Sequence, residues 1–178
     1  MKNSEKTKRL VTISILTAIL FVQEQILTPI PNVQLTFLLI ILYCKTFNYV
    51  ESVLMITVHV ILDNLLMGSF NLTVMPFMYL GYLVIPITLK TIFKKVESPL
   101  GLAILSILYS LIYSWIFFIP AILILEIPFW TYLIQDIPFE IILAASSFLS
   151  VLWLYRPLKR VLDSHLGSKP IINDESGE

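Results

Sequence analysis

Six apolar runs organise this chain, and all twelve of its Lys and Arg residues fall where alternate bilayer crossings gather them on one face. The runs are Leu10–Leu27, Leu35–Phe47, Val50–Met67, Leu72–Phe93, Leu100–Leu125 and Ile137–Tyr155. Lys2, Lys6, Lys8 and Arg9 precede the first run, and Lys45 closes the second. Lys90, Lys94 and Lys95 close or follow the fourth, and Arg156, Lys159, Arg160 and Lys169 follow the sixth. The three intervening connections contain no Lys or Arg. Cytoplasmic loops retain positive charge. The pattern therefore predicts an all-α membrane protein of a bacterial plasma membrane: a compact bundle of six transmembrane helices over residues 10–156, with cytoplasmic tails at 1–9 and 157–178.

Hydrophobic residues make up 57% of the chain and charged residues 13%, with a mean hydropathy of +0.87, which excludes an ordinary soluble domain. The polar tails are expected to be mobile and too short for a domain of their own. The first run lacks a small-x-small cleavage site and is longer than a secretory signal core, so it reads as an uncleaved helix. A lone Cys44 gives no disulfide. Nothing suggests nucleic acid, because the basic residues are the usual inside anchors.

The connections carry their own punctuation. Two prolines in Thr28-Pro29-Ile30-Pro31-Asn32 forbid a continuous helix. Gly68 reads as a terminator of the third helix. Pro76 and Pro86 predict a kinked fourth helix. The second helix is short, about 20 Å against a hydrocarbon core of about 30 Å. Either Asn32–Gln34 lengthens it or the prolines let it begin within the membrane. The stretch from Glu126 to Asp136 reads as a long outer connection, with Asp136 and Pro138 opening the sixth helix and Asp136 as its cap. No internal repeat is visible, which disfavours a transporter built of two halves.

Ionisable residues inside a membrane are costly and point to function. Glu24, Asp63 and Glu140 come from three helices and lie at one depth, about 6–9 Å outward of the midplane by residue count. Together they suit the lining of one cavity. Each also has a plain structural alternative. Glu24 can reach the interface, Asp63 can bond to His59 one turn away, and Glu140 can favour the positive end of its helix. His59 itself reads as a packed polar residue rather than a metal ligand. Among the aromatics, Tyr79, Tyr82, Tyr113 and Trp115 lie within helices, whereas Trp130 and Tyr132 suit interfacial anchoring. Trp115 is deeper than a belt residue and is the favoured stacking platform. Ser14 and Ala18 form a small-x-x-x-small pair that lets another helix approach, within the chain or from outside it. No His-Glu-x-x-His, Gly-x-Ser-x-Gly or Walker sequence occurs, so neither an enzyme, a cofactor nor a metal centre is expected.

Six helices in this length, both ends inside, the Ser14/Ala18 pair and the proline-rich Thr28–Gln34 loop resemble the S components of energy-coupling factor (ECF) transporters. Those are membrane subunits that capture a vitamin from outside and dock on a coupling membrane subunit with two ABC-type ATPases. The resemblance spans about residues 8–160 and is one of layout. It implies docking through Ser14 and Ala18, where the family has Ala-x-x-x-Ala. It also implies a ligand in the outer half, near Asn32, Gln34, Tyr79, Trp115, Gln135 and Glu140. With Asp63 added and no outer cation, a neutral or cationic ring compound is expected: thiamine-like, pyridoxine-like, queuosine-precursor-like or cobalamin-like. A rival resemblance is to MreD-like cell-shape proteins, through Pro31-Asn32-Val33-Gln34-Leu35 and Leu62-Asp63-Asn64-Leu65. That reading implies an interaction subunit with no small ligand. The glycines expected after its second helix are absent.

Overall fold

The computed structural model describes residues 2–66 and 72–166, all of it helices and their connections with no strand among the described residues. Gly68 and Lys169 lie outside them. The described residues form seven helices in order: α1 (Lys2–Leu27), α2 (Thr36–Thr46), α3 (Tyr49–Leu66), α4 (Met75–Lys90), α5 (Pro99–Ile116), α6 (Phe118–Leu123) and α7 (Phe129–Leu166). Four stretches are long and apolar enough to cross a membrane: Lys6–Leu27, Tyr49–Leu66, Pro99–Leu123 and Phe129–Leu166. Thr36–Thr46 and Met75–Lys90 are shorter apolar helices.

The hub is α2. Nine of its eleven residues are buried, because its sequence is apolar on every side and such a helix needs neighbours all round. It spans about 16 Å and touches α1, α3, α4, α5 and α7. Outward faces are apolar instead of polar: Ile26, Val50, Leu123 and Trp153 are each at least two-thirds exposed. So extensive an apolar surface suits lipid rather than water.

Helix ends depart from the sequence reading in instructive ways. Nothing between Lys2 and Leu27 is Gly or Pro, so α1 runs back through the polar residues before Leu10. The fifth apolar run breaks at Phe117, because Pro120 has no N–H for the Ile116 carbonyl and its ring crowds that group. Pro76 is the second residue of α4, where its missing N–H goes unused, so it starts the helix rather than kinking it; Pro86 lies inside. The largest correction concerns α7. It begins at Phe129, directly after Pro128, so most of the expected outer connection is helix and Asp136 is no cap. Pro138 and Pro157 each delete one helical bond without ending it, and α7 reaches Leu166, past the expected end at Tyr155.

The basic residues meet at one end of the bundle. Lys45, at the end of α2, donates to the carbonyls of Phe93 (3.3 Å) and Lys94 (3.0 Å) beyond α4. Lys90, at the end of α4, donates to Phe47 beyond α2 at 2.6 Å. Each lysine thus satisfies carbonyls that a neighbouring helix end leaves open. The Arg9 guanidinium grips Glu51 at 2.5 and 2.7 Å, tying α1 to the start of α3. There Asn48 and Glu51 cap each other, Oδ1 of Asn48 accepting from the Glu51 N–H and Oε2 of Glu51 from the Asn48 N–H.

Candidate functional site

At the opposite end, the α1–α2 connection is pinned by a buried amide. Oε1 of Gln23 accepts the Leu35 N–H at 2.9 Å, and its Nε2 donates to Thr36 Oγ1 at 2.8 Å and to the Leu20 carbonyl at 3.0 Å. Thr36 then donates to Oε1 of Gln34 (2.9 Å), while Ser146 of α7 exchanges bonds with the Gln34 backbone N–H and C=O (3.2 Å each). This clasp fixes the proline-rich segment over the helix ends. It also holds Asn32 at φ 58°, a left-handed conformation that Asn tolerates better than most residues.

Beneath Asn32 is a cleft of about 150 Å³ lined by Asn32, Tyr113, Ser114, Phe117, Tyr132, Asp136, Phe139, Glu140 and Leu143. Its walls follow from helical phase. Tyr113 on α5 and Phe117 just past its end are about one turn apart, and Tyr132, Asp136 and Glu140 are successive turns of α7. Ser114 donates to Oδ2 of Asp136 at 2.6 Å, joining the two walls. Oε1 of Glu140 is buried without a hydrogen-bond partner. Two carboxylates, two phenols, a carboxamide and no Lys or Arg face this space.

Behind the cleft runs an aromatic partition. Tyr113 stacks on Tyr82 of α4 at 4.5 Å and 24°, with Phe37 of α2 and Phe117 edge-on to Tyr113 at 5.8 and 5.1 Å. Gly81 permits the close approach, since a Cβ there would lie 2.7 Å from Cδ2 of Tyr113. On the far side of Tyr82 lies the His59 ring, 5.7 Å from it by centroids, and Nε2 of His59 is 3.2 Å from Oε2 of Glu24. The expected single cavity with Glu24, Asp63 and Glu140 is thus two separate groups. Glu140 and Asp136 face the cleft, while Glu24, with Asp63 in its electrostatic reach, belongs to α1 and α3. His59 lies 3.2 Å from Glu24 without a hydrogen bond to it, and it makes none to Asp63.

Of the residues expected to bind ligand, Asn32 and Glu140 line the cleft. Gln34 is engaged in the clasp, and Tyr79 bonds Thr57 across α3 and α4 at 2.9 Å. Trp115 is 52% exposed and does not line the cleft, although its side chain reaches Glu140 from outside it. Gln135 is exposed, one residue out of phase with Asp136. Tyr113, not Trp115, lines the cleft, and Ser114 and Asp136 went unrecognised as part of its wall. The four-residue spacing Tyr132–Asp136–Glu140 was the available signal, hidden by reading that segment as a loop. Ser14 and Ala18 are both exposed on α1, so the pair is not used for packing within the chain. No family model, curated protein or solved structure matches this chain.

Proposed function

We propose that this is a six-crossing membrane protein with both ends in the cytoplasm, which captures a small ring compound from outside as the substrate-binding subunit of an ECF-type transporter. The supporting observation is the cleft beneath Asn32, at the end of the bundle away from the lysines, where Asp136, Glu140 and Tyr113 converge and no cation does. Its volume of about 150 Å³ is that of a cavity holding one six-membered ring. Among vitamin-like compounds this favours a pyridoxine-sized ligand over a cobalamin-sized one. The ring lies against Tyr113, and its N–H or O–H groups donate to Glu140 and Asp136. A carboxylate ligand would have to shed water beside two acids. The chain offers no nucleotide motif, so the driving ATPases belong to a partner, reached through the exposed Ser14–Ala18 face of α1.

Expression with an ECF coupling module, followed by mass spectrometry of what co-purifies, tests the reading. The expected result is a complex carrying a small neutral or cationic ring compound, lost from Glu140→Gln. Association with cell-wall elongation proteins, with no small molecule bound, would overturn it.

A further inference from the structure

We propose that Glu24, His59 and Asp63, with the Tyr82 hydroxyl, form a second site, which takes a primary ammonium group. His59 is wholly buried, yet neither ring nitrogen has a hydrogen-bond partner, and Nε2 approaches Glu24 at 3.2 Å without the alignment a bond requires. Oε2 of Glu24 also lacks a hydrogen-bond partner, and the fully buried Tyr82 hydroxyl, directed at the Tyr113 hydroxyl, keeps its oxygen free to accept. Buried polar atoms left this way are costly, and here they come from α1, α3 and α4 and cluster. An imidazole needs a partner at each nitrogen whichever tautomer it adopts.

The group that fits carries positive charge and several N–H donors. Glu24 and Asp63 supply negative charge, and the Glu24 side chain, 20% exposed, reaches from the site to the surface. Acceptors are the two carboxylates, a ring nitrogen and the phenol oxygen, and the Tyr82 ring adds a π face. An alkali ion prefers a cage of oxygens and gains little from imidazole. A quaternary ammonium has no N–H to give. A primary ammonium meets each requirement, whether carried by a free amine or by a phosphatidylethanolamine headgroup. The Tyr82–Tyr113 stack separates this site from the cleft, so the inference stands apart from the transport reading.

The test uses the full chain in phosphatidylcholine nanodiscs, with labelled imidazole and His165→Gln to leave His59 as the one histidine signal. Phenethylammonium should shift that signal saturably, and Glu24→Gln or Asp63→Asn should weaken its binding about tenfold or more. Exchanging the lipid for phosphatidylethanolamine should reproduce the shift if the headgroup is the source. An equal shift from phenylpropionate, or from sodium chloride at the same ionic strength, would overturn the proposal. So would full binding in Asp63→Asn, which serves if Glu24→Gln fails to fold. A shift lost in Glu140→Gln but kept in Glu24→Gln would put the amine in the cleft, sinking this site and sparing that reading.

Discussion

Gly81→Ala offers the sharpest test of how the cleft wall is built. An alanine methyl would lie 2.7 Å from Cδ2 and 3.5 Å from Cα of Tyr113. The ring is held by Tyr82, Phe37 and Phe117, so it can yield only toward the cleft, at the cost of that packing. Overpacking of this kind costs about 1–3 kcal/mol, and loosening the Tyr82–Tyr113 stack adds about 0.5–1.5 kcal/mol. Against this, Ala gains about 0.8–1 kcal/mol over Gly inside a helix. The net expectation is a loss of about 0.5–3.5 kcal/mol. In a Tyr113→Ala background the clash vanishes and the same substitution should stabilise by about 0.8 kcal/mol. The sign reversal is the signature, a coupling of about 2 kcal/mol that distant sites do not show. Unfolding of all four proteins in mixed micelles, followed by Trp fluorescence, measures the cycle. If Gly81→Ala stabilises both backgrounds equally, Tyr113 does not pack on Gly81 and the partition is misdescribed.

Three further outcomes follow from other contacts. Gln23→Ala leaves the Leu35 N–H and Thr36 hydroxyl without their buried partner and should cost about 2 kcal/mol or more; unchanged micelle unfolding would show that the clasp is not structural. Arg9→Ala breaks a pair that is half-exposed on the arginine side, so its cost should be about 0.5 kcal/mol and fade as salt rises; a large, salt-independent loss would contradict this. Ser14→Trp or Ala18→Trp should abolish uptake by the reconstituted complex while the isolated subunit still binds ligand, since both positions are exposed; equal loss of binding and uptake would mean the pair is needed inside the chain.

Much of the architecture was legible in linear order. Long apolar runs separated by prolines and charges specify helices, because a buried or lipid-facing backbone must bond to itself. The placement of Lys45, Lys90 and Arg9 at one end was readable from alternation alone, and the short α2 announced its central position by being apolar on every side. Helix boundaries were less legible. A proline read as a start (Pro138) proved internal, and the stop at Pro120 passed unnoticed, because one missing N–H is decided by what neighbouring turns and helices can satisfy.

The site belongs mostly to the tertiary structure. Counting residues along each helix assigned the acids one depth, but which acids share a cavity depends on helix rotation and packing. A rotation of about 100° per residue separates Asp136 from Gln135, and two such steps separate Tyr113 from Trp115. No run of letters shows that Tyr82 and Tyr113 stack over Gly81 and divide Glu24 and His59 from Glu140. By itself the sequence determined composition, helix number to within one break and the segregation of positive charge, since these depend on local hydrogen bonding and transfer to an apolar phase. Side-chain meetings across five helices were decided only when all of them had packed around α2, because such contacts depend on the phase of every helix at once.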